Sequence, residues 1–402
     1  MTPGNEGRIP FNLPPVVGTE QGYIAEAIAR GQLSAGGAFT QRCCSWLEDA
    51  TGCQRALLVH SATAALELTA LLLDIESGDE VVMPSFNFVS AANAVTLRRG
   101  TPVFVDIRPD TLNLDEALVE EAITDRTKAI LPVHYAGVPC EMEAICAVAA
   151  RSGALVVEDA AQALGASLRG RPAGGLGDLA AVSFHETKNV ISGEGGALLI
   201  NDERFVERAE IMRDKGTDRS RFFRGEVDKY SWVDLGSSYG ISELNAAFLW
   251  AQLETAQALN QDRLRAWGLY HEALEPLESE GVLRRPVIPN HVQHNAHIYY
   301  VLVGGLAERT AILDELHSQE ISAVFHYVPL HLSNAGLRYG RSHGSLATTE
   351  DVADRLVRLP LWDSISESQI LRVVEALAEA MSGHRRVPSS AGHDARSTRP
   401  VQ

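Results

Sequence analysis

The segment Ser183-Phe-His-Glu-Thr-Lys188 puts a lysine between the apolar run Leu179-Ala-Ala-Val182 and the glycine-rich Ser192-Gly-Glu-Gly-Gly196. An ordinary lysine has a pKa of about 10.4 and is a poor nucleophile near neutral pH. Burial and a nearby cation lower that value, and a neutral amine can form a Schiff base with a carbonyl. A second group is carboxylic: Ala154-Leu-Val-Val157 runs into Glu158-Asp159-Ala-Ala-Gln162. Side chains alternate along a strand, so Glu158 and Asp159 point to opposite faces, one of them toward a ligand crevice. An ionised carboxylate there wants a cation, since unit charges 4 Å apart attract by about 4 kcal/mol at an effective dielectric of 20, before desolvation. The bland alternatives are a solvated lysine and a structural salt bridge or cap.

Two further strand ends carry candidate groups. His60-Ser-Ala-Thr63 follows Ala56-Leu-Leu-Val59 and precedes a helix expected from Ala64. Small residues and a hydroxyl at a positive helix end suit a phosphate, although Ser and Thr cap helices in any protein. Pro84-Ser-Phe-Asn-Phe-Val89 puts Phe86 and Phe88 at the mouth of another strand, where one ring can stack on a planar heterocycle. A phosphate-accepting helix start, an aromatic ring, a strand-end carboxylate and a Schiff-base lysine together fit one cofactor, pyridoxal phosphate.

The elements that must position these groups follow a rhythm. From Arg55 onward apolar runs alternate with amphipathic segments: Glu80 to Met83 then Ser90 to Leu97, Pro102 to Asp106 then Leu114 to Ile123, Ala129 to Val133 then Met142 to Ala150, Ala154 to Val157 then Ala160 to Gly165. Runs too apolar to leave one face in water predict a mainly parallel sheet covered on both sides, an α/β class. Ligands of such sheets bind beyond the carboxyl ends of the strands. Leu179 to Phe184 and Gly196 to Ile200 follow one another without a helix, which predicts a hairpin or an antiparallel member. A long helical stretch from Ser242 through Ala258 to Leu277 then marks a domain change. The expected division is a large domain over 1–250, a smaller C-terminal α+β domain over 251–383, and a disordered tail over 384–402, rich in Ser, Pro, Gly and Arg.

Of 402 residues 45% are hydrophobic and 22% charged, with a formal net charge of −17. That field repels phosphate polymers, so neither nucleic acid nor an anionic membrane surface is an expected partner. No stretch approaches the roughly 20 apolar residues of a membrane span, and the first residues lack an apolar signal core. Five cysteines with no C-x-x-C pair suggest neither a disulfide framework nor a zinc site and suit a reducing cytoplasm.

The runs Val157-Glu-Asp-Ala-Ala-Gln162, Ser183 to Lys188 and Gly193-Glu-Gly-Gly196 resemble the DegT/DnrJ/EryC1/StrS sugar aminotransferases, of the aspartate aminotransferase fold (pyridoxal phosphate fold type I). The resemblance covers about Ile9 to Met381. Phe11 to Gly18, Pro132 to Gly137, Phe222 to Lys229 and Phe325-His-Tyr-Val-Pro-Leu-His331 look like the branch that aminates TDP-4-keto-6-deoxyglucose at C4. The resemblance implies that Lys188 carries the cofactor as a Schiff base and that Asp159 keeps its pyridine nitrogen protonated. It further implies that Gln162 meets the ring hydroxyl, that Phe88 stacks on the ring, and that Ala62, Thr63 and Ser183 bind the phosphate. Relatives place an asparagine before a tyrosine to reach the partner subunit's phosphate; here Gly236-Ser-Ser-Tyr239 puts the shorter Ser238 there. A homodimer with shared sites, L-glutamate as amino donor and a TDP-keto-deoxysugar as acceptor follow from the same resemblance. Arg219, Arg224 and Lys229, interleaved with aromatic residues, can meet the nucleotide diphosphate, or form a solvated basic loop. Tyr327 and His331 are expected near the hexose.

Other patterns carry less. Gly175-Leu-Gly-Asp-Leu-Ala180 fits G-x-G-x-x-A without the strand-turn-helix setting that motif needs. His291, His294 and His297 are spaced as on a helix, yet Pro289 and the strand-like Ile298 to Leu302 argue against one, and no metal is expected. The alternative activities are a 3-aminotransferase acting on a TDP-3-keto-6-deoxyhexose and a non-catalytic pyridoxal-phosphate-binding regulator.

Overall fold

A computed structural model describes residues 7–385. In its first half, short apolar runs form strands because both of their faces are covered. β1 (Arg55–Val59), β2 (Glu80–Pro84), β3 (Thr101–Val105), β4 (Thr127–Ile130) and β5 (Leu155–Asp159) alternate with helices Ala62–Leu72, Val89–Leu97, Glu116–Ala122 and Met142–Ser152. After two short strands, β6 (Ser167–Leu168) and β7 (Arg171–Pro172), come β8 (Leu179–Ser183) and β9 (Gly196–Ile200). The second half adds β10 (Val292–Gln293), β11 (Tyr299–Leu302), β12 (Arg341–Ser342) and β13 (Leu356–Leu359).

The main sheet has eight strands in the order β1-β9-β8-β5-β4-β2-β3-β12. β9 is its antiparallel member, paired with β1 on one side and β8 on the other; the pairs from β8 to β12 are parallel. Apolar clusters lie on both faces, one around the helix Ala62–Leu72 and one around Phe39, Leu47 and Leu249. A further core is built by Trp267, Tyr270, Tyr299, Val301, Ile312, Val357 and Trp362 with the N-terminal Ile9. Its two-stranded sheet pairs β11 with β13. β12 joins the main sheet although it comes from the C-terminal third.

Two expectations are corrected. Ala160 to Gly165 is not a helix but two successive turns, because Ala163 N–H bonds to Ala160 O and Ala166 N–H to Ala163 O, and Gly165 takes a φ of 84°. The long helical stretch is three helices, Glu243–Glu254, Ala256–Ala273 and Glu275–Ser279, the last with Pro276 in its first turn, where the missing N–H costs nothing. Residues 384 and 385 of the expected tail belong to the helix Glu367–Arg385; the remainder lies outside the described residues. Among the described residues no helix is long and apolar enough to cross a membrane.

Candidate active site

The carboxyl ends of β1, β5 and β8 open into one cavity of about 320 Å³, a size at the small end of ligand sites, which run from about 300 Å³ upward. Ala62, Thr63, Phe88, Asp159, Gln162, Ser183, Lys188 and Tyr327 line it. Asp159 and Ser183 are the last residues of β5 and β8; Ala62, Thr63, Phe88, Gln162 and Lys188 follow the ends of β1, β2, β5 and β8 within five residues, and Tyr327 comes from the segment after the helix Leu306–Ser318.

At the first strand end the chain turns into the helix Ala62–Leu72, two residues earlier than expected. Ser61 is its cap, accepting from the Ala64 N–H at 3.1 Å. Thr63 Oγ1 lies 2.8 Å from Ser90 Oγ. Gly196 makes this close approach possible, since a Cβ there would fall 2.4 Å from the Ala62 nitrogen. The first N–H groups of this helix and its positive dipole end border the cavity, which suits an anion.

At β5 the two carboxylates separate as alternation requires. Asp159 faces the cavity and accepts from the Ala161 N–H at 3.1 Å. Glu158 faces the other way, fully buried, and accepts from the backbone N–H groups of Gly174, Leu176 and Gly177 at 2.7–2.8 Å, with His134 Nε2 at 2.8 Å. It therefore pins the loop that leads into β8. Removing that carboxylate strands three buried polar groups and the part-buried Gly177 N–H, so Glu158→Ala is expected to destabilise the protein by about 3–5 kcal/mol, read as a fall in the urea midpoint. An unchanged midpoint would show that the loop is held otherwise.

Lys188 follows a tight turn in which its own N–H bonds to His185 O at 2.9 Å. Burial lowers its pKa to about 8; Asp159 opposes the shift and Arg358 adds to it. Burial raises the Asp159 pKa, against the Ala161 N–H bond and the Lys188 charge. The pair is thus an amine and a carboxylate whose proton affinities are drawn together.

The remaining lining is aromatic and amide. Phe88 is 57% exposed and faces the cavity, whereas Phe86 is core, packed at 5.1 Å from Tyr135 and 5.4 Å from Tyr327. Gln162 accepts from the Ala136 N–H at 2.8 Å and donates to the Tyr327 hydroxyl at 2.9 Å. Tyr327 holds a φ of 43°, a left-handed conformation rare for a bulky residue, and stacks on His326. Such strain persists only where surrounding contacts impose it.

Other expected site residues lie outside this cavity. Ser238 and Arg219 border a separate polar recess with Arg213 and Lys215. Arg224 is held by Glu210 at 2.7 Å and Glu226 at 2.6 Å. Lys229 is exposed, on an arm where Phe223, Tyr230 and Trp232 also stand uncovered. His331 is buried, with Nδ1 2.7 Å from Ser85 Oγ and Nε2 3.1 Å from Glu350. The three spaced histidines diverge: His291 meets Glu141, His294 packs on Trp267, and His297 bonds to Asn189.

Sequence reasoning missed Phe11, Asn87 and Arg358 and weighed His297 only as a metal ligand, yet all four line the cavity, as does Ser61 of the expected helix start. Asn87 Nδ2 is buried there without a partner among the described residues. The available signal for Arg358 was a lone cation inside Leu356-Val-Arg-Leu-Pro-Leu-Trp362.

Residues 16–378 match the family model described as the DegT/DnrJ/EryC1/StrS aminotransferase family. The curated Methanocaldococcus jannaschii protein MJ1066 is 35% identical over 341 residues, 83% of this chain and 88% of that protein. Among solved structures, DesV of S. venezuelae is 32% identical with a TM-score of 0.84, over 93% of this chain and 98% of DesV. Spr1654 of Streptococcus pneumoniae in its PLP form is 25% identical with a TM-score of 0.86, over 94% of this chain and 99% of that one.

Proposed function

Because the chain belongs to the DegT/DnrJ/EryC1/StrS aminotransferase family, we propose that it moves the amino group of L-glutamate to C4 of TDP-4-keto-6-deoxy-D-glucose. It is a pyridoxal-phosphate-dependent aminotransferase of fold type I. The observation that carries the reading is the meeting of Lys188, its pKa lowered to about 8, with the buried Asp159 in one cavity at the strand ends.

The donor set fits the cofactor. Asp159 is a buried carboxylate suited to a ring nitrogen, the helix start at Ala62 and Thr63 with Ser183 suits a phosphate, and Phe88 offers an uncovered ring face. Gln162 borders the same space and would meet a ring hydroxyl. Pyridoxal phosphate, when bound, supplies an aldehyde for amine exchange and an electron-accepting ring. Lys188 then takes the proton from the donor's Cα and returns a proton to the sugar carbon that receives the nitrogen. Asp159 holds the proton on the ring nitrogen. Tyr327, fixed by Gln162, borders the space left for the sugar.

Arg219, Arg224, Lys229 and Ser238 lie apart from the cavity of their own chain, on or beside an arm with uncovered aromatic rings. This supports a homodimer in which they serve the partner's site, with Arg219, Arg224 and Lys229 on the nucleotide diphosphate and Ser238 in the place of the usual asparagine. His331, buried behind the Tyr327 segment, would act on the sugar side by holding that segment to Ser85. Five unpaired cysteines favour a reducing compartment, the cytoplasm.

The pH dependence follows from Lys188. Its folded-state pKa is below the ordinary lysine value, so the folded protein binds this proton more weakly than the unfolded chain. The group's contribution to stability therefore increases as pH rises from about 8 toward the ordinary value, and the neutral amine gains over the same lower edge. Uptake of pyridoxal phosphate by cofactor-free protein, followed by absorbance, is expected to quicken with a midpoint near pH 8. A flat profile between pH 7 and 9 would contradict this.

Incubation with TDP-4-keto-6-deoxy-D-glucose, L-glutamate and pyridoxal phosphate, followed by NMR of the product, tests the substrate assignment. Nitrogen on C4 is expected. No transfer to this sugar, alongside transfer to a 3-keto isomer, would overturn it.

A further inference from the structure

His297 lines the cavity with Lys188, and the same two residues also border a small recess of about 10 Å³ beside Asn189 and Asn295. Its ring is buried, and Nδ1 lies 3.0 Å from the Asn189 side-chain oxygen. The orientation of that amide is fixed by its surroundings. Asn189 Nδ2 donates to Asn295 O at 2.7 Å and to Asn260 Oδ1 at 2.9 Å, and Asn260 Nδ2 in turn donates to Leu164 O at 3.3 Å. Main-chain oxygens only accept, so Asn189 Oδ1 is left as an acceptor too. The proton of the His297 ring therefore sits on Nδ1, and Nε2 carries a lone pair. A third amide holds the backbone: the His297 N–H donates to Asn295 Oδ1 at 3.1 Å, and Asn295 Nδ2 donates to Gln162 O at 2.8 Å.

Asn189 borders the recess but not the cavity, so Nδ1 takes the recess side of the ring and Nε2 the cavity side. Nε2 has no partner among the described residues, yet it is not sealed in as Asn87 Nδ2 is, so it meets open space. Burial, with Lys188, Arg263, Arg358 and His326 facing the ring, holds its pKa well below the ordinary histidine value. The imidazole is thus neutral and can accept at Nε2 but not donate there. A serine or threonine hydroxyl turns to suit either kind of ligand group; this ring does not. The same cations disfavour an ammonium as the group it meets, which leaves a neutral O–H.

Resting on the 4-keto sugar reading above, we propose that His297 Nε2 accepts the C3 hydroxyl of the sugar and so selects acceptors with an O–H beside the carbon to be aminated. Lys188 delivers a proton to that carbon, and His297 stands beside Lys188 on both the cavity and the recess. The group that meets Nε2 therefore belongs to a neighbouring carbon. In a 4-keto-6-deoxyhexose the neighbours are C3, which bears a hydroxyl, and C5, which bears the ring oxygen and a methyl group. Only C3 offers a proton. Because the tautomer is fixed through Asn189, a hydrogen, an ether or a second carbonyl at C3 leaves a desolvated lone pair without a partner.

The test compares TDP-4-keto-6-deoxy-D-glucose with its 3-deoxy analogue, using enzyme loaded with pyridoxal phosphate and saturating L-glutamate. The wild type is expected to favour the hydroxylated sugar by at least ~10-fold in kcat/KM. Two variants separate the edges of the ring: the amide of His297→Asn reaches the place of Nδ1 and can hold Asn189, whereas the side-chain oxygen of His297→Gln reaches the place of Nε2. His297→Asn should cut the preference to within about threefold by slowing the parent sugar, with the 3-deoxy sugar little changed, and His297→Gln should keep most of it. TDP-6-deoxy-D-glucose, which has no carbonyl to aminate, gives a readout without turnover; its Kd should rise at least ~10-fold in His297→Asn. Nitrogen-15 NMR of histidine-labelled wild type, with His297→Gln to identify the signal, is expected to show Nδ1 protonated and Nε2 bare from about pH 6 to about pH 9.

Four results overturn the proposal: a wild type indifferent to the C3 hydroxyl; equal losses on both sugars in His297→Asn, which marks a structural ring; a preference kept by His297→Asn and lost by His297→Gln, which marks the Asn189 contact as the one that matters; or a proton on Nε2. The wild-type preference and its NMR signal decide the matter even where a variant fails to fold. A wild type that takes nitrogen from L-glutamate but aminates neither 4-keto sugar overturns the substrate reading instead, and the assignment of the C3 hydroxyl with it.

Discussion

Lys188→Ala is expected to lower the rate of amino-group transfer by about four orders of magnitude or more, because one substitution removes both the nucleophile and the base. The side chain makes no ion pair or hydrogen bond among the described residues, so the fold does not depend on it. Burial holds its pKa near 8 in the face of Asp159, and taking it out relieves that strain. The variant should therefore melt no lower than the wild type while a glutamate single turnover, read by absorbance, stalls. Retention of even a hundredth of the wild-type rate would move the base to another residue. His297 and Tyr327 border the same cavity, but burial holds the His297 pKa well down and the Tyr327 pKa up.

Asp159→Asn is the second large effect. The amide keeps an oxygen for the Ala161 N–H and nearly the same volume, so the local turn survives. It cannot hold a proton on the ring nitrogen. A charge pair at about 4 Å and an effective dielectric of 20 is worth about 4 kcal/mol, or about a thousandfold in rate. The expected outcome is a loss of about that size in the proton-transfer step, with cofactor still retained. Burial raises the carboxyl's pKa, so cofactor-free Asp159→Asn should be at least as stable as the wild type near neutral pH. A small rate loss with a large stability loss would make Asp159 a structural residue.

The alternation of buried runs and amphipathic segments made the parallel sheet legible, because strands covered on both faces cannot hide that composition. The antiparallel β9 was legible for a related reason: nothing helical separates Leu179–Ser183 from Gly196–Ile200. Residues at the ends of β5 and β8, or within five positions after the ends of β1, β2, β5 and β8, are among those the structure gathers around the cavity, whereas His60 and Glu158 are not. Local rules went no further. Alternation could say that Glu158 and Asp159 part company, but not which meets the ligand, since that depends on the loop 174–177 closing over one face. Likewise Phe86 and Phe88 differ only in what Tyr135 and Tyr327 cover from distant segments.

Arg358 escaped notice because a single arginine in an apolar run usually extends its charge to water; here the N-terminal Phe11 covers it. The basic cluster near residue 224 was readable, yet its pairing with Glu210 needs a helix turn brought alongside. His331 was expected near the hexose, but its ring nitrogen is taken by Ser85, 246 residues earlier. Ser238, expected to reach toward the partner subunit's phosphate, falls beside Arg219 and Arg213, a placement that no spacing within the segment encodes.

Borohydride reduction of the cofactor-loaded protein, followed by peptide mapping, tests the central claim most directly. The account predicts one modified peptide, with the pyridoxyl group fixed on the side chain of Lys188. A modification on any other lysine, or loaded protein with no lysine modified, would contradict it.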